Sequence, residues 1–107
     1  MSDHYVRAVL IAYHALPDTP RRSSRHDRLL VGSLAARGVP LETVKAAFVL
    51  ATARRTFRPK GSLPLGSIRS VAYFLPLVEE LRERPLRAEL LDTLRAKLAA
   101  AGVALPA

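Results

Sequence analysis

Residues 41 to 55, LETVKAAFVLATARR, constrain this chain more than any other stretch. Wound at 3.6 residues per turn, Leu41, Val44, Ala47, Phe48, Val49, Leu50 and Ala51 leave no broad polar stripe. A helix apolar on most of its surface has to be enclosed by other elements. The remainder must therefore supply amphipathic helices to wrap it. Half of the residues are apolar, mostly Ala, Leu and Val, only 5 are Gly, and no β-branched or aromatic run has strand length. A chain of 107 residues buries one core. The reading is one all-α domain over residues 1–107, a compact bundle of five helices around a central apolar helical hairpin.

Punctuation along the chain sets the elements. Ser2 is predicted to cap a first helix running to about Leu16, with Tyr5, Val6, Val9, Leu10, Tyr13 and Leu16 at helical spacing. Two prolines and an Asp make 17–23 a loop. Ser24 and Asp27 have the spacing of a capping box, opening a second helix that stops at Gly38. After a short GVP turn, the third helix runs from about Leu41 to Arg55 or Phe57. Residues 58–66, RPKGSLPLG, form the longest irregular stretch, and Ser67 is predicted to cap a fourth helix. Pro76 lies inside that helix and kinks it, or splits it to make six. Pro85 suits the first turn of an amphipathic C-terminal helix over 85–102, which Gly102 ends, with Leu90, Leu91, Leu94 and Leu98 on one stripe. Of the adjacent pair Tyr73 and Phe74, Phe74 is expected in the core and Tyr73 at its edge.

Charge is distributed unevenly. The net is +8, and residues 1–75 hold all of it, with 12 Lys+Arg against 4 Asp+Glu; residues 76–107 balance 5 against 5. Arg outnumbers Lys 14 to 3, and the planar guanidinium fork matches phosphate geometry better than an ammonium. If the two helices of the hairpin run antiparallel, Arg21, Arg22, Arg25 and Arg28 approach Arg54, Arg55, Arg58 and Lys60. Arg54 and Arg55 have an ordinary explanation as cations at a helix C-terminus. Arg25 and Arg28 stand in a first turn and oppose the dipole, with Asp27 as their only local compensation. The segment GSIRS adds Ser67, Arg69 and backbone N–H groups to a candidate phosphate surface. Phe57, between Arg55 and Arg58, either stacks on a base or plugs the end of the core. A merely solvated basic face is the plainer reading of the whole cluster.

Catalytic and metal chemistry find no pattern. The chain has no cysteine, and His4, His14 and His26 are scattered without ligand spacing. No Gly-rich phosphate loop or nucleophile elbow occurs, so no catalytic residue, metal or cofactor is expected. Glu79, Glu80 and Glu83 are balanced at helical spacing by Arg82, Arg84 and Arg87. The second and third helices are helix-turn-helix-like. A recognition helix starting Leu41, Glu42, Thr43 and Lys45 nevertheless lacks the Arg, Asn or Gln that meet base edges. No signal-peptide pattern and no apolar run of ~18 residues is present, which points to a soluble cytoplasmic protein.

GVPLETVKAAFVLATARR and IRSVAYFLPLVEEL, within residues 25–81, resemble a type of C-terminal segment found in uncharacterised proteins of bacterial mobile elements. The arrangement is also similar to DnaD-like and phage replication-initiator C-terminal domains. In those, a helix ending in Gly precedes a second helix, a proline-bearing linker and a Tyr- or Phe-bearing helix. The resemblance implies an all-helical accessory domain that binds DNA and other replication or mobile-element proteins.

Together these readings give a non-enzymatic nucleic-acid-binding domain, with DNA favoured over RNA. Phosphates would be contacted by Arg21, Arg22, Arg25, Arg28, Arg54, Arg55, Arg58, Lys60, Ser67 and Arg69. The C-terminal helix is left for a replication or recombination protein, and no membrane partner is expected. The alternative is a protein–protein adaptor whose basic face docks on an acidic partner.

Overall fold

The computed structural model describes residues 3–105, and its regular structure is helical throughout. In order along the chain come α1 (Asp3–His14), α2 (Arg25–Ala36), α3 (Leu41–Thr56), a 3₁₀ turn (Val71–Phe74), α4 (Leu75–Glu83) and α5 (Ala88–Ala100). The predicted Ser2 cap lies outside the described residues.

α3 is the centre, as its all-round apolar surface requires. Val44, Ala46, Ala47, Phe48, Val49, Ala51, Thr52 and Ala53 are all buried, and α1, α4, α5 and the 3₁₀ turn pack around it. Three rings anchor the core. Phe48 lies 4.8 Å from Phe74 and 6.4 Å from Tyr13, and Tyr13 meets Phe74 edge-on at 6.0 Å. These separations suit favourable aromatic pairing, and the rings tie α1, α3 and the 3₁₀ turn together. Phe74 is buried and Tyr73 half-exposed, as their adjacency demanded. A smaller cluster of Val49, Ala53 and Leu98 seats α5 on α3.

α2 and α5 end alike. Gly38 (φ 73°) and Gly102 (φ 80°) take the left-handed conformation. This lets the next residue fold back, with Val39 N–H bonded to the Leu34 carbonyl (3.1 Å) and Val103 N–H to the Leu98 carbonyl (2.9 Å). Both are Schellman closures, which satisfy carbonyls that the helix ends leave orphaned.

Several expectations change. α1 stops at His14, and Leu16 is buried just beyond it. The two helices of the hairpin do not pack along each other: α2 packs on α1 and the 3₁₀ turn, both of which α3 also contacts. Ser67 caps nothing; the fourth element starts three residues later, where the Ser70 hydroxyl accepts from Ala72 N–H (3.2 Å). Pro76 does mark the expected split, with the 3₁₀ turn ending at Phe74 and α4 beginning at Leu75. It sits in the first turn of α4, where a missing N–H leaves no bond unmade, and the 3₁₀ turn precedes it. Pro85 falls in the link before α5, which begins at Ala88. Leu90 is half-exposed, so the C-terminal stripe reduces to Leu91, Leu94 and the fully buried Leu98. Among the described residues, no helix is long and apolar enough to cross a membrane.

Candidate nucleic-acid interface

Three segments distant in sequence meet at one end of the bundle. The first is the loop after α1, folded back by His14. Its Nδ1 donates to the Pro20 carbonyl oxygen (2.6 Å), and its Nε2 lies 2.6 Å from the Ser23 hydroxyl. The second is the first turn of α2, held by the predicted capping box: Asp27 N–H donates to Ser24 Oγ (3.0 Å) and Ser24 N–H to Asp27 Oδ2 (3.1 Å). The third is the end of the linker, residues 66–70. Ile68 N–H donates to the Asp18 carbonyl (2.8 Å), joining linker to loop. Asp18 adopts φ 64°, a left-handed conformation that an Asp side chain tolerates better than most.

Asp27 does more than the sequence pattern indicated. It is 1% exposed, and its second oxygen, Oδ1, accepts the buried Val71 N–H at 3.0 Å. One carboxylate thus starts both α2 and the 3₁₀ turn. Its charge is turned inward, and burial, reinforced by this carboxylate, pushes the Tyr13 phenol up to about 12. The link was invisible in sequence, because a capping box specifies only its local bonds and Val71 lies 44 residues away.

The ten sequence-predicted residues separate into two groups. Arg21, Arg22, Arg25, Arg28 and Arg69 are exposed around the three meeting segments, and their side chains bond to no other described residue. Lys60 is similarly free in the linker, and Ser67 is exposed beside Arg69. The other three arginines are engaged. Arg54 pairs with Glu80 of α4 (3.5 Å), and Arg58 donates to the Leu63 carbonyl.

Arg55 is largely an internal strut. Its side chain is only 12% exposed; Nη2 reaches Asp18 Oδ2 (3.2 Å) and the Gly66 carbonyl (2.9 Å), and Nη1 the Tyr73 hydroxyl (3.2 Å). The guanidinium also lies over the Tyr73 ring, 5.5 Å from its centroid. Burial works against its charge, but the bonds to Tyr73 and Asp18 prevail and hold its pKa above the ordinary arginine value. The expected merger of the two hairpin ends into one arginine surface is therefore corrected. α2 does not lie along α3, so the α3 arginines serve the linker and α4 instead.

Of the backbone N–H groups expected at GSIRS, that of Ile68 is taken by the Asp18 carbonyl, and those of Val71 and Ala72 just beyond it bond to Asp27 and Ser70. Phe57 plugs nothing. It is half-exposed, with Lys97 Nζ 5.4 Å from its ring centroid. Acidic side chains collect on the opposite set of elements. Glu79 receives hydrogen bonds from Arg37 and Arg82, which hold its carboxyl below the usual glutamate value, the bond from Arg37 contributing most.

The resulting surface is shallow. A cleft of about 280 Å³ lies between Asp18, Thr52, Arg55, Thr56, Arg58 and Leu65, and a neighbouring groove runs past Thr19, Pro20, Ser67 and Arg69. Exposed guanidinium forks on a shallow surface can meet successive phosphates and stay hydrated between contacts. α3, enclosed by α1, α4, α5 and the 3₁₀ turn, leaves mainly Glu42, Thr43 and Lys45 of its first turns accessible. Among the described residues, no group of three His, Cys, Asp or Glu is placed to hold a metal ion. No protein-family model, curated protein or solved structure matches the chain.

Proposed function

We propose that this domain binds nucleic acid, duplex DNA above all, through phosphate contacts and without catalysis. One observation carries the reading: Arg21, Arg22, Arg25, Arg28 and Arg69 stand exposed without partners, while the nearest acids are engaged elsewhere. Asp27 faces inward, and Asp18 is paired with Arg55. Like charges gathered this way repel one another and contribute nothing to the fold, but they suit a polyanion. The resemblance of residues 25–81 to mobile-element and replication-initiator segments supports the same reading, that of an accessory domain in bacterial replication or mobile elements. α5, with Leu90 half-exposed, is the surface left for a protein partner.

Gel retardation over a salt series, with several unrelated duplexes, tests this. About four or five phosphate contacts give a slope near −4 for log affinity against log salt, alike for every sequence. A salt-independent interaction, or none, would instead favour docking of the basic face on an acidic protein.

A further inference from the structure

Four of the large apolar residues left exposed gather around the C-terminal end of α3 and its linker: Phe57, Leu63, Leu65 and Tyr73. Leu63 is the extreme case, at 81% exposure, with prolines at 59 and 64 on either side of its turn. A leucine on a floppy loop would carry little meaning, but this loop is bonded at its turn, its tip and its far end. Ser62 N–H and hydroxyl both donate to the Pro59 carbonyl (3.1 and 2.6 Å). Arg58 donates to the carbonyl of Leu63 itself, and Arg55 to that of Gly66. Arg55 from the last turn of α3 and Arg58 just beyond its end thus hold the linker backbone in a shape that presents the Leu63 side chain to solvent.

The surroundings indicate what such a side chain meets. Lys60, exposed and unpartnered, lies three residues from Leu63. Through Asp18, which touches both Arg55 and Ile68, the linker adjoins the arginine surface. An apolar tip rising beside cations that can straddle a phosphate backbone fits a duplex with a base step open to insertion. Leucine is among the side chains that wedge between bases from the minor groove and kink the duplex. An anionic membrane is the poorer fit. Interfacial binding calls for a broad apolar face, usually that of an amphipathic helix, and here only Leu63 stands clear on a loop while its three apolar neighbours are less than half exposed.

We propose that Leu63 is an intercalating wedge: phosphates grip the arginine surface while Leu63 enters a base step and bends the DNA. The proposal rests on the nucleic-acid reading above and adds a deformation that phosphate contacts alone do not produce. The test uses the whole chain and a short duplex with dyes at its ends and a fluorescent base analogue at a central TA step. Wild-type protein should brighten the analogue and shorten the end-to-end distance. Leu63→Ala should lose both signals and about three- to tenfold in affinity while keeping the salt slope, and Leu63→Phe should retain them. Because the side chain is exposed, the melting temperature should not change.

If Leu63→Ala unstacks and bends the duplex as well as wild type does, the wedge is overturned and the phosphate reading survives. If wild type binds no duplex, both fail together. Leu63-dependent co-sedimentation with phosphatidylserine vesicles, without unstacking in any duplex, would move the tip to a membrane and overturn the wedge.

Discussion

α2 carries arginines in opposite circumstances at its two ends. At its start, Arg25 and Arg28 face solvent unpartnered, and the single acid among them, Asp27, is buried beneath. At its end, Arg37 is paired with Glu79 of α4, which also holds Arg82, and Arg54 of α3 meets Glu80 next door. Residue type and net charge do not distinguish these places; what arrives from elsewhere in the chain does. α4 belongs to a segment with no net charge, yet its glutamates reach cations 26 and 42 residues earlier. The arginines left without such partners include those at the start of α2. Availability of a cation, rather than its presence, separates a binding surface from a stabilising one.

Both ends depend on the aromatic core, so removing it should abolish the contrast altogether. Phe48→Ala deletes a fully buried ring in contact with Tyr13 and Phe74 and should destabilise the domain by about 3–5 kcal/mol. That is much of the ~5–15 kcal/mol such a domain commands. An unchanged thermal midpoint would remove Phe48 from the core and undo the packing described.

The contrast itself is broken most directly by neutralising one set of arginines at a time. With Arg21, Arg22, Arg25 and Arg28 all changed to Gln, the salt slope should flatten by about three to four units, since each phosphate contact contributes about 0.9. Four such contacts correspond to a loss of roughly 10²-fold in affinity between 50 and 200 mM salt in the unaltered protein. The melting temperature should hold or rise, because the repulsion is relieved. An equal loss on changing Arg37 and Arg54 to Gln would show that the ion pairs open on binding, and the distinction between the two ends would collapse.

Asp27→Ala probes how the arginine surface is assembled. The variant loses the carboxylate half of the capping box and leaves the Val71 N–H buried without an acceptor, so about 1.5–3 kcal/mol of stability should disappear. Hydrogen exchange should rise at Val71 and in the first turn of α2 together. Exchange rising in α2 alone would mean that the long-range bond contributes nothing.

Arg55→Ala sharpens the comparison inside the original candidate set. As a strut bound to Asp18, Gly66 and Tyr73, Arg55 should cost about 1–2 kcal/mol when removed. The salt slope should move by less than about one unit, the share of a single phosphate. A stable variant with a slope flattened by a full unit would return Arg55 to the binding face.

The smallest effect belongs to Glu79. Its carboxyl titrates below the ordinary glutamate value, so the folded state favours the ionised form. The associated stability is present above about pH 4.5 and lost as the pH falls through the lowered value. Glu79 is exposed, so screening keeps this contribution slight. A Glu79→Gln variant should melt at the wild-type temperature near pH 3 and marginally lower near pH 6. A difference that persists unchanged at acid pH would assign the effect to packing.

Some of this structure could be read directly from residue order. Helices, their caps and their stops are local matters. Ser24 and Asp27 lie one turn apart, Gly38 and Gly102 permit the left-handed closures, and the apolar residues of α3 recur too closely for any face to stay wet. Those signals act within a few residues, so α2, α3 and the central position of α3 were all legible, as was the assignment of Phe74 to the core over Tyr73. Ser67 was misread because two serines precede the same turn, and only the fit of Val71 over Asp27 selects Ser70.

Which arginines remain available was decided by the tertiary structure alone. A guanidinium is satisfied by whichever oxygens the fold brings within about 3 Å. For Arg55 those belong to Asp18 and Gly66, and for Arg54 and Arg37 to α4, from 11 to 42 residues away. A pattern of charges along the chain records how many cations exist and in which segment. It holds no information on the path by which α2 turns toward α1 and the 3₁₀ turn instead of along α3, and that path places each arginine against an acid or against water.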